Sequence, residues 1–304
     1  MTATNFDSRA DVWSEWLLHG RHGDNPAYGR LVDEAVAAYA RRVIDGAQLR
    51  PGMTLVDVGA GEGLVAFQAI DRVGPTLKVV LTDVSATMLE HAQKLATQRG
   101  VQGQCSFVEC TAERLDAIAD ASVDVLTTRA VLAYVPDKPA ALREFFRILK
   151  PGGRISIAEP ILQDDALYAR VLRNCVDGQS AQPPDRFTEL LHRWKAAQFP
   201  DTAALCAASP IANYSERDLL SFVQAAGFSD VHLQLHIDVT PSRITSWEVF
   251  LRTSPHPWAP PLGRIMAERF TPDERQFFEQ ILRPVVEGGK STTTDRTVYV
   301  QAQK

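Results

Sequence analysis

LVDVGAGEGL, residues 55–64, ends an apolar run with three glycines on alternate positions and sets two acids among them. Glycines directly after a buried strand let the backbone come close to a ligand at the carboxyl edge of a parallel sheet, beneath the N-terminus of the next helix. That points to a nucleotide-like ligand. The dinucleotide fingerprint needs its third glycine at position 64, where Leu64 stands; Gly59, Gly61 and Gly63 form GxGxG instead. No Gly-Lys followed by Ser or Thr comes after it, which excludes a phosphate-gripping P-loop. Asp57 and Glu62 are poor neighbours for a pyrophosphate and good ones for an ammonium or sulfonium group. Asp83 comes twenty residues after Gly63, at the end of the next strand, where an acid accepts both hydroxyls of a ribose. Together these residues suit a nucleoside that is cationic and not phosphorylated.

Working outward, strands alternate with helices. Strands are expected at 53–58, 77–82, 105–110 and 123–128, with helices at 63–73, 85–99 (capped by Ser85, stopped by Gly100) and 139–149. A PGG turn at 151–153 delivers RISIAEP as a fifth strand, and VHLQLHIDV (231–239) and the last segment (293–302) read as two more. The spacing means crossover units: an α/β fold with a doubly wound, mainly parallel, seven-stranded sheet and helical cap insertions. The expected organisation is an N-terminal helical cap segment (1–46), whose helix opens with Asn25 and Pro26, and a Rossmann-like core (47–160). A helical cap insertion (161–213) follows, then the end of the core sheet (214–304) interrupted by a second helical insertion (241–289). SERD at Ser215 and TPDE at Thr271 are capping boxes that open helices.

The 304 residues carry a formal charge of -5 with acids and bases interspersed, so no basic stripe argues for nucleic acid, and the expected partner is a small molecule. The opening MTATNFDSRADVW lacks an apolar signal core and no run of 18 apolar residues occurs, which points to the cytoplasm, and no membrane partner is expected. Cys105, Cys110, Cys175 and Cys206 show neither CxxC pairing nor zinc-type spacing, so they are read as reduced and no metal is expected.

Five blocks in order, VDVGAGEG (56–63), LTDVSATML (81–89), ECTAERLD (109–116), SVDVLTTRAVLAYVPD (122–137) and LREFFRILKPGGRISIAEP (142–160), make the chain resemble the class I S-adenosylmethionine-dependent methyltransferases. The likeness, nearest to the small-molecule and ubiquinone-biosynthesis branch, is strong over about 50–160 and weak beyond. It implies an enzyme that uses S-adenosyl-L-methionine to methylate a small-molecule acceptor by in-line displacement. It also implies that Gly59, Ala60, Gly61 and Gly63 line the methionyl part of the cofactor, with Asp57 fixing the loop and the amino group. Asp83 would hold the ribose, Val84 and Met88 would pack on the adenine, and Thr111 with Ala112 would edge it. Arg129, after the fourth strand, would meet the methionyl end largely through its backbone. The chain departs from that branch at Thr111, where its members often have Asp.

The acceptor side is open in the sequence. Methyl transfer from sulfonium needs alignment and exclusion of water more than any one residue, whereas a phenol or hydroxyl acceptor gains from a base. In WSEWLLHGRHGD (13–24) Trp13, Trp16 and Leu17 make a helical face, the loop after it offers His19 and His22 as bases, and Glu159, ending the fifth strand, is a third catalytic candidate. Arg21 could grip a carboxylate, and Tyr28, Tyr134, Trp247 and Trp258 could shape an apolar pocket. The two insertions could close over the same sheet edge, and the second could instead build a homodimer interface. A protein that binds the cofactor without transferring methyl, or a methyltransferase acting on a macromolecule, are the alternative readings; TTRAVLAY in place of an NPPY-like block weighs against the latter.

Overall fold

The structure, a computed structural model, describes residues 12–178 and 184–304. Residues 1–11 of the expected cap segment and 179–183 of the first insertion lie outside these. Seven strands form one sheet: β1 (Thr54–Val58), β2 (Lys78–Asp83), β3 (Cys105–Glu109), β4 (Val123–Arg129), β5 (Leu149–Pro160), β6 (Ser229–Pro241) and β7 (Thr292–Gln303), in the order β3-β2-β1-β4-β5-β7-β6. The first five are parallel, and β7 runs antiparallel between β5 and β6. β1, β2 and β4 are buried over most of their length because helices cover both faces, which is why they read as continuous apolar runs rather than alternating ones.

Helix α1 (Pro26–Ala47) starts where predicted: the Asn25 side chain accepts from the Tyr28 amide, and Pro26 takes the first turn, where its missing N–H costs nothing. With α2 (Leu64–Val73) and α3 (Ala86–Gln98) it packs on one face, in a core that includes Ile44, Phe67 and Leu89. On the other face α4 (Lys138–Ile148) and α8 (Glu216–Ala225) bury Phe145, Leu142 and Leu219. Both predicted capping boxes are present, Ser215 with Asp218 at α8 and Thr271 with Glu274 at α11 (Pro272–Glu287).

Between β5 and α8 lie α5 (Gln163–Val176), α6 (Arg186–Gln198) and α7 (Ala203–Ala208); between β6 and β7 lie α9 (Trp247–Arg252), α10 (Leu262–Arg269) and α11. α6 joins α10 and α11 in a separate core around Leu190, Ile265 and Phe278, so the two helical groups interlock. The Lys138 ammonium fastens the first group to the sheet. It is buried and donates to the carbonyls of Val135 (3.1 Å) and Pro210 (2.8 Å) and to Asn213 Oδ1 (3.2 Å), and it lies 4.4 Å from the Tyr214 ring centre. Burial lowers its pKa to about 8.

Two expectations change. The PGG turn lies inside β5, with a register shift opposite Val123 and Val125, so the strand begins at Leu149 rather than Arg154. Residues 12–15 are helical as the Trp13–Trp16–Leu17 face suggests, but the helix widens into a π-helical turn over Trp16–Gly20. All four cysteines are free, and among the described residues no helix is long and apolar enough to cross a membrane.

Candidate active site

The strand order reverses between β1's neighbours β2 and β4, the place where open α/β sheets open a crevice at their carboxyl edge. A cavity of about 880 Å³ lies there, floored by residues 57–62 and reached by Val84, Thr111, Ala112 and Arg129. The loop that forms the floor is tightly held. Ala60 N–H donates to the Thr82 carbonyl (2.8 Å), and Gly61 N–H to Asp83 Oδ2 (2.8 Å). Asp83 Oδ1 accepts from the Ser85 amide (2.9 Å), so one carboxylate sets both the loop and the start of α3. Burial raises the Asp83 pKa, and these amides oppose the shift.

Glycine is required in the loop for two reasons. Gly59 has φ +63°, and a Cβ there would stand 2.3 Å from Val131 Cγ2; Gly63 has φ +84°, and its Cβ would stand 2.6 Å from the Phe67 ring. The backbone of the loop is thus packed from behind while its front faces the cavity.

Asp57 lies beneath the loop, nearly inaccessible at 2% exposure. Its Oδ1 accepts from the Thr127 hydroxyl (2.8 Å), while Oδ2 is buried with no hydrogen-bond partner. Burial pushes the carboxyl up to about 7; the Thr127 hydroxyl, the Ala66 amide and the Arg129 guanidinium favour its charge, and Asp83 disfavours it. An unsatisfied buried acceptor of this kind is costly unless a cationic donor completes it.

The opposite wall is apolar. Trp13, Tyr134 and Trp258 meet edge to face, with ring centres 4.9 Å (Trp13–Tyr134), 6.0 Å (Trp13–Trp258) and 5.4 Å (Tyr134–Trp258) apart. Phe199, Pro200 and Leu205 continue the wall from the end of α6 into α7. The segment bearing Trp258 is stitched to α6: the buried His256 donates Nε2–H to the Gln198 carbonyl (2.7 Å), and Gln198 Nε2 donates to the Pro260 carbonyl (2.9 Å). Burial lowers the His256 pKa to about 4, so the ring is neutral. Trp16 Nε1 donates to the Ser254 carbonyl (3.2 Å), tying the N-terminal segment to the same loop.

Of the predicted cofactor residues, all but two are on the cavity wall. Gly63 stands behind the loop, and Met88 is fully buried beneath the first turn of α3, so it packs in the protein rather than on the cavity. The three catalytic candidates are corrected. His19 is exposed on the surface and paired with Asp24 Oδ1 (2.7 Å), which raises its pKa. His22 packs beside Gly29 of α1, away from the cavity. Glu159 is fully buried and faces the loop after β4: it accepts from the Thr128 hydroxyl (2.8 Å) and the amides of Val131 (3.0 Å) and Ala133 (3.1 Å). It anchors that loop and reaches no cavity wall. Among the pocket candidates, Arg21, Tyr134 and Trp258 line the cavity. Tyr28 does not; it sits near the charges of Asp295 and Arg243. Trp247 is also elsewhere, stacked on Phe250 at 5.8 Å in the α6–α10–α11 core. Sequence reasoning missed the contribution of α6 and α7, whose apolar residues carry no signal distinguishing wall from core.

A family model described as a methyltransferase domain matches residues 49–205. Nocamycin O-methyltransferase from Saccharothrix syringae is 32% identical over 274 residues, covering 86% of this chain and 89% of that protein. The ubiquinone/menaquinone biosynthesis C-methyltransferase of Xanthomonas axonopodis pv. citri is 39% identical over 122 residues, 40% of this chain; the match spans about half (48%) of that protein's length. Among solved structures, the [4+2]-cyclase SpnF has a TM-score of 0.53 at 18% identity, covering 98% of this chain and 94% of its own. A geranyl diphosphate methyltransferase solved with S-adenosylmethionine has a TM-score of 0.51 at 18% identity, covering 96% and 95%. These two likenesses are of fold.

Proposed function

The chain belongs to the methyltransferase-domain family, and from that premise we propose that it transfers a methyl group from S-adenosylmethionine to a small molecule held at the apolar end of the cavity. The observation that carries this reading is the orphaned Asp57 Oδ2 beneath a glycine floor, since an anionic acceptor buried there suits an ammonium group and repels a diphosphate. When bound, S-adenosylmethionine supplies a methyl group on a cationic sulfur that is a good leaving group. The chain's own residues bind and shield. Asp83 retains a lone pair on each oxygen beyond its bonds to Gly61 and Ser85, which suits two ribose hydroxyls. Val84, Thr111 and Ala112, all on the cavity wall, would flank the adenine, and the backbone after β4 would meet the methionyl end. The ring wall excludes water and fixes the acceptor's approach, the main source of rate in such a displacement.

Calorimetric titration with S-adenosylhomocysteine tests this, and absence of binding sinks it. Asp83→Ala is expected to weaken that binding by ~1–3 kcal/mol, about tenfold to a hundredfold, through the ribose contact and the loosened loop.

A proton should also be released. Asp57 sits at about 7, above the ordinary carboxylate, so from about pH 4 to 7 the folded chain binds a proton that the unfolded chain does not. Its contribution to stability therefore falls as pH rises through that window. A cation at Oδ2 reverses the preference, expelling the proton and making affinity for the homocysteine nucleoside rise up to about pH 7 and level off above it. Titrations at about pH 6.5 in two buffers of different ionisation enthalpy should give different heats; identical heats contradict the role given to Asp57.

A further inference from the structure

The cavity's two cations have too few partners. Arg129 lines it, its guanidinium making no hydrogen bond or ion pair with the described residues, while the charges of Glu62, Asp57 and Glu159 act on it from farther off. Arg21 beside it has a side chain only 10% exposed, with Nη2 3.3 Å from Asp33 and 3.8 Å from Glu62, and its Nε is buried without a partner. Two guanidiniums held together repel each other, and each lowers the cost of placing an anion between them. Their planar donor edges match an oxyanion, above all a carboxylate.

Among the described residues the ring wall of Trp13, Tyr134 and Trp258 itself carries no free base. Asp57 and Asp83 are committed to the glycine loop and Glu62 faces Arg21. Cys110 and Tyr134 are both pushed up by burial, which keeps the thiol and the phenol protonated. Glu113 follows Thr111 and Ala112 on the cavity wall, and its charge acts on Lys138. No histidine among the described residues lines the cavity. An acceptor that must lose a proton finds no histidine to take it, while one that arrives ionised needs only to be held.

We propose that the acceptor is an oxyanion at neutral pH, a carboxylate or a strongly acidic enol or phenol, on an apolar body that fills the space between Trp13, Tyr134 and Trp258. The Arg129 guanidinium, with Arg21 beside it, holds that oxyanion at the junction of the glycine floor and the ring wall. This rests on the methyl-transfer reading above. The step balances without a base: an oxygen lone pair forms the O–C bond as the C–S bond breaks and its pair returns to sulfur. One negative and one positive charge disappear, and no proton moves.

The test is binding to the full chain saturated with S-adenosylhomocysteine, followed by tryptophan fluorescence, with three probes of one shape: 2-naphthoate, 2-naphthamide and 2-naphthylmethylammonium. Naphthoate is expected to bind about tenfold or more tighter than the amide, with the ammonium weakest. Arg129→Gln should bring naphthoate and amide within about threefold; Arg129→Lys should retain part of the preference. A far-ultraviolet circular dichroism spectrum matching the parent's shows that the variant is folded. Equal binding of the three probes, or no binding by any, overturns the proposal. So does a loss of S-adenosylhomocysteine affinity in Arg129→Gln with the probe order unchanged, since the guanidinium would then be holding the cofactor's own carboxylate. If the parent chain fails to bind S-adenosylhomocysteine, the methyl-transfer reading itself falls, an outcome distinct from any of these.

Discussion

Glu159→Leu is expected to cost about 3–5 kcal/mol of folding stability although it changes the volume of the side chain little. The carboxylate accepts from a hydroxyl and two main-chain amides, and the Val131 amide lies within 3.1 Å of one oxygen and 3.0 Å of the other. A leucine offers no acceptor, so the two buried main-chain amides lose their partner, at ~1–3 kcal/mol each, while the Thr128 hydroxyl can turn elsewhere. The site is fully buried, so water cannot compensate. Urea unfolding measures the loss, and a midpoint within error of the parent would remove Glu159 from its anchoring role. Because Val131 in turn backs Gly59, cofactor affinity should fall with stability.

Gly59→Ala is expected to weaken S-adenosylhomocysteine binding by about a hundredfold, measured by calorimetry. The new methyl would need to displace Val131 Cγ2 from 2.3 Å while holding φ +63°, two penalties of ~1–3 kcal/mol each that the loop relieves only by moving forward into the cavity. Gly61→Ala is the contrast. Its Cβ would meet only Leu17 Cδ1 at 3.5 Å, so stability should drop by no more than ~1–2 kcal/mol, the left-handed backbone penalty alone. A Gly59→Ala chain that binds the nucleoside like its parent would show that the floor tolerates movement and does not set affinity.

The floor was readable because its determinants are local and periodic. Strand, glycines, Asp57 and Asp83 sit at fixed offsets in one crossover unit, and geometry leaves them few places to go. The wall was not. Trp13 reads as part of a helical face and Trp258 as one pocket aromatic among several, and only tertiary packing joins them to Tyr134. Trp247 was as plausible a wall residue as Trp258 and lies in a different core, because a six-residue helix buries it. The histidines failed for a related reason: closeness in sequence to a loop over the site does not specify which side of the π-helical turn faces inward. Glu159 failed because an acid at the end of a central strand has two possible tasks, facing a ligand or satisfying the amides of a neighbouring loop, and the backbone after β4 decides. Met88 follows from helix phase: it sits on the inner side of the first turn of α3, whereas Val84 precedes the helix and stays at the rim.

The bond from the Trp16 indole to Ser254 spans 238 residues of chain. The glycine floor comes from one contiguous stretch, β1 to β5, which a ribosome can deliver early. The ring wall has no such head start: its entropy of closure is met only once Trp258 has emerged and returned to Trp13. On the proposed function, nascent chains halted before that point would have a nucleoside shelf and no room for a second guest.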